Sequence, residues 1–328
     1  SSVSGPYIVE EGEGDVDEDE EEDNVTKLSD HSKTNDECAI SKTIMRRLIF
    51  LNCPHFIQTE VRLKMVPIIS ETSQEEEEKN NYINFLSNKW NMENMEGYSF
   101  DSTYLDSHHK AVFAGLCLTN LPTTGNAMII GLGGGAFPQV LHEYLPKYKQ
   151  YICDLDPKTY EIAISQFGYR PVMNYSHFTG CDGVQYIEHA STSIRLGNNT
   201  QSNLTESIYP HLCDKMNLLF LDVNGSDDGS GLSAPPSSFI TDTCLANIYD
   251  ILCDNEGILA INVVARNDEV CHQLEKQLIR FFCCSSNKSS NSSNTVESNT
   301  DKDDVRAMIQ AAMRGECDVD FDKELSTT

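Results

Sequence analysis

Residues 127–146 read AMIIGLGGGAFPQVLHEYLP, and no other stretch of the chain narrows its fold so far. Four apolar residues suit a strand covered on both faces, as in a central parallel strand. Gly131, Gly133, Gly134 and Gly135 then crowd into five positions. Glycine lets a chain turn with positive φ and lets another group approach closely. Pro138 falls in the first turn of the helix that follows, where its missing N–H costs nothing. The result is a strand, a tight turn and a helix whose open N–H groups face the carboxyl end of the strand. In open α/β sheets, ligands bind there. A bare strand–helix turn without a ligand is the plainer alternative.

The residues around this turn repeat the same alternation. Strands are expected at 127–131, 150–155, 175–179, 216–222 and 258–264. Helices are expected at 137–145, 157–167, 183–190, 238–253 and 268–281. Strand and helix in strict alternation predict an α/β fold, a Rossmann-like parallel sheet with helices on both faces. Before it, residues 44–69 read as a small β-hairpin with Pro54 in its loop, followed by a polar loop over 71–81. Residues 98–119 run from a loop into an apolar helix. A polar insertion is expected at 191–211.

The ends differ in kind. Residues 1–43 carry 14 acidic and 3 basic side chains and few large apolar ones, so a disordered acidic tail is expected. The folded domain is expected over 44–282. Residues 283–328 begin with a Ser/Asn-rich low-complexity run and are expected to be mostly disordered, with one short helix at 303–314.

The formal net charge is −27, from 24 basic and 51 acidic residues. Nucleic acid is a poor partner for such a surface, since phosphates need Lys and Arg. A basic protein partner suits it better. No apolar run approaches the length of a membrane span. The first residues lack a basic region and an apolar core, so no secretory leader is expected and a cytoplasmic location follows. The 12 cysteines include no C-x-x-C pair, so they are read as reduced thiols, and no metal site is expected.

Several carboxylates fall where a ligand would meet them. GLGGGA satisfies the dinucleotide pattern through Gly131, Gly133 and Ala136, and it equally suits a nucleoside ligand such as S-adenosylmethionine. Asp154 ends the second strand, where a carboxylate can accept from ribose hydroxyls. Asp182 precedes a helix; it can accept from an adenine amine, or cap the helix, or both. Asp222 ends the fourth strand and is aimed into the same crevice. Asp227 and Asp228 lie in a Gly/Ser-rich loop and read as solvated.

The motifs RRLIFLNCPHFIQTEVRLK, YLDSHHKAVFAGL, IIGLGGGAFP, CDLDP, CDGVQYI, LFLDV, APPSSF and INVVARND together resemble the C-terminal domain of the methyltransferase-like protein 13 family. These are elongation factor 1A methyltransferases in the spermidine-synthase-like branch of class I methyltransferases. YLDSHHKAVFAGL is the most specific of the eight. The resemblance covers about residues 44–282. It implies an S-adenosylmethionine-dependent enzyme that methylates the N-terminal α-amine of translation elongation factor 1A, with that basic protein as partner. It implies that Gly131, Gly133, Gly134 and Gly135 face the methionine part of the cofactor. By the same resemblance, Asp154 holds ribose, Asp182 and Gly183 face adenine, Gln58 reaches the nucleoside, and His109 lies near the amino-acid end. Asp222 would be the catalytic carboxylate. Asn224 replaces a family Asp. The family's last antiparallel strand pair has no counterpart in the sequence after residue 282, and no second glycine-rich strand–helix unit accompanies the first. A polyamine synthase of the same fold is an alternative; the D-x-x-D-P of that group fails at Gly225. A non-catalytic scaffold is another.

Overall fold

The computed structural model describes residues 5–13, 43–51, 57–65, 98–196, 214–225, 229–254 and 256–283. The strands are β1 (Tyr7–Glu13), β2 (Thr43–Phe50), β3 (Ile57–Met65), β4 (Tyr98–Phe100), β5 (Gly125–Ile130), β6 (Tyr148–Asp154), β7 (Ser176–Gly180), β8 (Leu218–Leu221), β9 (Leu232–Ala234), β10 (Ile258–Ile261) and β11 (Val264–Ala265). The helices are α1 (Ser107–Cys117), α2 (Ala136–Tyr144), α3 (Pro157–Phe167), α4 (Gly183–Leu196), α5 (Asp242–Ile251) and α6 (Asp268–Leu278). They fall into two compact units, one holding Ser1–Leu105, Leu132–Pro146 and Asp154–Gly180, the other holding the remainder.

In the first unit β1, β2, β3 and β4 form an antiparallel sheet in that order. The hairpin β2–β3 expected from sequence is there, and it is widened on both sides. Alternation decides the buried face: Ile44 and Leu48 on β2 and Val61 and Leu63 on β3 are buried, at period two. The expectation of a disordered tail over 1–43 does not hold for Tyr7–Glu13. Those residues pair with β2 from Tyr7↔Phe50 to Glu13↔Ile44. YIVEE combines aromatic and β-branched residues that suit a strand, and Glu11 pairs with the buried Arg46, which also donates to the Gln166 carbonyl. Residues 14–42 lie outside the described residues.

The other end of this sheet is held by one carboxylate. Asp101 is 3% exposed. It accepts from Arg62 Nε at 2.6 Å, Thr103 N at 3.1 Å and Thr103 Oγ1 at 2.7 Å, and Lys64 Nζ lies 3.0 Å away. Burial alone would raise this carboxyl, but the hydrogen bonds from Thr103, Lys64 and Arg62 outweigh it and hold it below the usual range. A depressed folded-state pKa contributes stability that is present above the unfolded value and is lost as pH falls. Asp101→Asn strands two cations, one of them largely covered, and is expected to cost about 2–4 kcal/mol. Denaturant unfolding of the two proteins at pH 7 and at pH 3 checks this. The gap should be full at pH 7 and shrink at pH 3, where the carboxyl takes up its proton in the unfolded chain first.

In the second unit parallel strands run in the order β10-β8-β5-β6. Ala127–Ile130 and Leu218–Leu221 are buried throughout, so both faces are covered. Leu219 and Leu221 pack with Ile187 of α4 and Leu245, Ile248 and Ile251 of α5. Phe220, pointing the other way, meets His109 of α1 edge-on with ring centroids 6.0 Å apart. Parallel order with helices on the two faces makes this the expected Rossmann-like α/β arrangement, preceded in sequence by the N-terminal antiparallel sheet. The chain leaves β5 toward β6 on one side and later returns to β8 on the other. The switch point between β5 and β8 is where such sheets bind ligands.

One boundary departs from expectation. The helix α4 runs to Leu196, past the start of the expected insertion. Ser191 is buried and accepts from Arg195 at 2.6 Å, while Arg195 also donates to Asn247 of α5 at 2.8 Å. Polar residues that pair at helical spacing extend a helix as well as apolar ones do. Residues 197–211, the helix expected at 303–314 and everything else after Cys283 lie outside the described residues, as does any final strand pair there.

Candidate functional site

The turn after β5 is built from its own backbone. Gly131 N donates to Cys153 O at 2.8 Å, and Gly131 adopts φ +98°. A Cβ on it would stand 2.0 Å from the Asp222 carbonyl oxygen. Only glycine fits there, because the ends of β5 and β8 touch through backbone.

In the first unit, the rest of the turn meets β3. Gly133 has φ +53°, and a Cβ there would stand 2.3 Å from Thr59 Oγ1. Gly134 N donates to that hydroxyl at 2.8 Å. Thr59 is buried, and its hydroxyl in turn donates to the Gln58 carbonyl at 2.7 Å. Gln58 is half-buried beside it. Gly135 is the N-cap of α2 and, like Gly131 and Gly133, has positive φ.

Asp154 is a fastener of this turn. Its Oδ2 accepts from Leu132 N at 2.9 Å; its Oδ1 accepts from Asp156 N at 3.0 Å and Thr159 Oγ1 at 3.2 Å. A carboxylate offers about four acceptor positions, so Oδ2 keeps room for a ligand hydroxyl. Burial pushes this carboxyl up from its usual value, with the Leu132, Asp156 and Thr159 donors pulling the other way. Asp156 itself caps α3 through Lys158 N at 3.0 Å.

In the second unit, Asp182 is exposed and accepts from Gln185 N at 3.0 Å. It caps α4 through one oxygen and leaves the other to solvent or a ligand amine. Gly183 is buried. A Cβ there would meet Ile130 Cγ2 at 2.6 Å and Phe239 at 3.0 Å, so close helix–strand packing explains this glycine.

Asp222 has the richest surroundings. It follows β8, and its backbone N donates to Ile130 O at 2.8 Å. Its Oδ2 lies 3.1 Å from His109 Nε2 and 3.7 Å from His108 Nε2, and its Oδ1 accepts from Asn262 Nδ2 at 3.0 Å. Asn262 follows β10 and is itself tied by its N to Leu221 O at 2.9 Å. The two histidine rings sit with centroids 4.0 Å apart. Burial alone would raise the Asp222 carboxyl, but hydrogen bonds and charge from His108 and His109 outweigh it and hold it far below the usual range. His108 shifts the opposite way: burial lowers it, and Asp222 more than compensates and raises it. This arrangement keeps a half-buried carboxylate charged, oriented, and with lone pairs to spare for a cation or an N–H donor.

Within the first unit, then, the sequence candidates Gly133, Gly134 and Gly135 adjoin the strand that carries Gln58, and Asp154 fastens Leu132 between the glycines. Within the second, Gly131, His109 and Asp222 converge, while Asp182 and Gly183 begin α4. His109 binds Asp222, which the sequence reading did not foresee. Asn224 is exposed; Asp227 and Asp228 lie outside the described residues. Thr59, His108 and Asn262 were missed. The HH doublet and the Asn that opens NVVARND were visible signals, but nothing in the sequence pairs them with a carboxylate 113 residues after His109 and 40 before Asn262. Also missed was a possible ligand set: among the described residues, Asp106, His108 and His109 place one ligand atom each within 4.8 Å of one another. Cysteine spacing could not reveal a cluster made of carboxylate and imidazole.

No family model matches the chain. Against curated proteins it is 27% identical over 273 residues to the eEF1A lysine and N-terminal methyltransferase of Homo sapiens, covering 81% of this chain and 33% of that protein. It is 26% identical over 277 residues to the protein of the same name from Mus musculus, covering 81% of this chain and 32% of that one. The chain thus spans about a third of the length of these relatives. Among solved structures it is similar to human methyltransferase-like protein 13 in complex with SAH, at 23% identity and a TM-score of 0.46, over 64% of this chain and 92% of that one.

Proposed function

From a chain similar over four-fifths of its length to eEF1A lysine and N-terminal methyltransferases, we propose an S-adenosylmethionine-dependent protein methyltransferase. Its acceptor is the N-terminal α-amine of translation elongation factor 1A, and it works in the cytoplasm. The observation that carries the reading is Asp222, a carboxylate at the switch point of the sheet, gripped by His109 and Asn262.

Bound there, S-adenosylmethionine supplies a methyl group on a sulfonium. The chain's residues supply the rest. Asp154 offers its remaining acceptor position to a ribose hydroxyl. Asp182 offers its uncommitted oxygen to the adenine amine. By the family resemblance, the glycines would face the methionine part and Gln58 the nucleoside. Asp222 accepts a hydrogen bond from the acceptor amine, aims its lone pair, and offsets the positive charge that grows on nitrogen. Methyl transfer to a neutral amine needs no covalent enzyme intermediate, so positioning and electrostatics suffice. An α-amine is also easier to deprotonate than lysine, about pKa 8 against about 10.4. The acidic surface (net −27) favours encounter with a basic partner at low salt.

The test is transfer of labelled methyl to a peptide copying the N-terminus of elongation factor 1A, beside the same peptide with its α-amine acetylated. Label is expected on the free peptide alone, at a rate rising through about pH 7–8 as the amine loses its proton. Equal label on both peptides would move the reaction to lysine.

A further inference from the structure

The cluster that holds Asp222 has a second capability that methyl transfer does not need. Asp106 precedes α1, and His108 and His109 stand in its first turn; their ligand atoms lie within 4.8 Å of one another. Asp222 arrives from another segment, 3.1 Å from His109 Nε2 and 3.7 Å from His108 Nε2. Zinc bound by imidazole and carboxylate at about 2.0–2.2 Å in tetrahedral geometry spaces its ligand atoms by about 3.3–3.5 Å. The two observed separations bracket that spacing. Nitrogen and carboxylate oxygen in equal number suit Zn²⁺ and its first-row neighbours better than Mg²⁺ or Ca²⁺, which prefer oxygen alone.

We propose that Asp106, His108, His109 and Asp222 form a binding site for one transition-metal ion of the zinc type, and that the ion, once bound, occupies the carboxylate used by the acceptor amine. Metal and amine then compete, and micromolar zinc acts as a reversible brake. The binding half stands on the geometry alone; the braking half rests on the methyltransferase reading. Closing the site takes an inward shift of about an ångström by Asp106, whose ligand atom stands within 4.8 Å of the imidazole nitrogens, and a smaller one at His108, which is half-exposed.

The experiment titrates metal-free protein, its accessible thiols alkylated, with Co²⁺. One equivalent is expected to give visible d–d absorption without a thiolate charge-transfer band, and Zn²⁺ should displace it. His108→Ala and Asp106→Asn, each verified as folded by circular dichroism, are expected to weaken binding at least 10-fold. One equivalent of Zn²⁺ should suppress peptide methylation at least 10-fold, and a chelator should restore it. Asp106→Asn should need at least 10-fold more zinc for the same suppression. No stoichiometric binding, or binding indifferent to both substitutions, overturns the site. Binding that leaves methylation unchanged overturns the brake. Variant-sensitive binding in a protein that methylates no peptide leaves the site standing and removes the methyltransferase reading instead.

Discussion

Asp222→Asn is expected to lower methyl transfer by about 10²- to 10³-fold while changing cofactor affinity less than about 3-fold. The side chain keeps its shape, but the charge that faces the developing ammonium is gone. Removal of one positioned group that stabilises transition-state charge typically costs that much. The partners sharpen the effect. His108 and His109 approach one carboxylate oxygen and Asn262 donates to the other. An amide at this position must turn its NH₂ toward one of these donors, so the oxygen left over is already taken. Single-turnover rates with saturating peptide, alongside calorimetric cofactor affinity, separate the two quantities. A rate within a few-fold of wild type would reduce Asp222 to a structural anchor.

Asp154→Ala is expected to have a double effect. Loss of charge-assisted hydrogen bonds to the cofactor ribose should cost about 1.5–3 kcal/mol, or about 10- to 150-fold in affinity. The side chain also satisfies Leu132 N, Asp156 N and Thr159 Oγ1. Leaving buried N–H groups without a partner should cost a further 1–3 kcal/mol, approximately, in folding. The melting temperature should therefore fall together with affinity. Asp154→Asn restores an acceptor for one of these donors and should recover part of the stability but little of the affinity. Wild-type affinity in either folded variant would remove Asp154 from the cofactor site.

The sheet was legible in the sequence because its strands are short apolar runs and three of its helices begin at strong caps. Asp156 before Pro157, Thr241 before α5 and Asn267 before α6 each accept from a backbone N–H in the first turn. The glycine turn was legible for the same local reason. What escaped was non-local. Tyr7–Glu13 is acidic enough to pass for tail, and the buried Arg46 opposite Glu11, with Arg47 opposite Glu10, gives those charges a reason to order. His109 carries no local mark of its partner, since Asp222 reaches it by the fold rather than by spacing. Asn262 looks like any polar residue after a strand until β10 is placed beside β8. Gly183 shows the opposite case: a glycine in a cofactor-like motif that packing against Ile130 and Phe239 already requires.

The account stands or falls on which nucleoside this fold receives. Calorimetry of the chain with S-adenosylmethionine, decarboxylated S-adenosylmethionine and NAD tests that directly. Saturable one-to-one binding of S-adenosylmethionine, with the decarboxylated form weaker and no heat from NAD, is the predicted result. Preference for the decarboxylated form would point to aminopropyl transfer, and binding of NAD alone, or of none of the three, would contradict a methyltransferase.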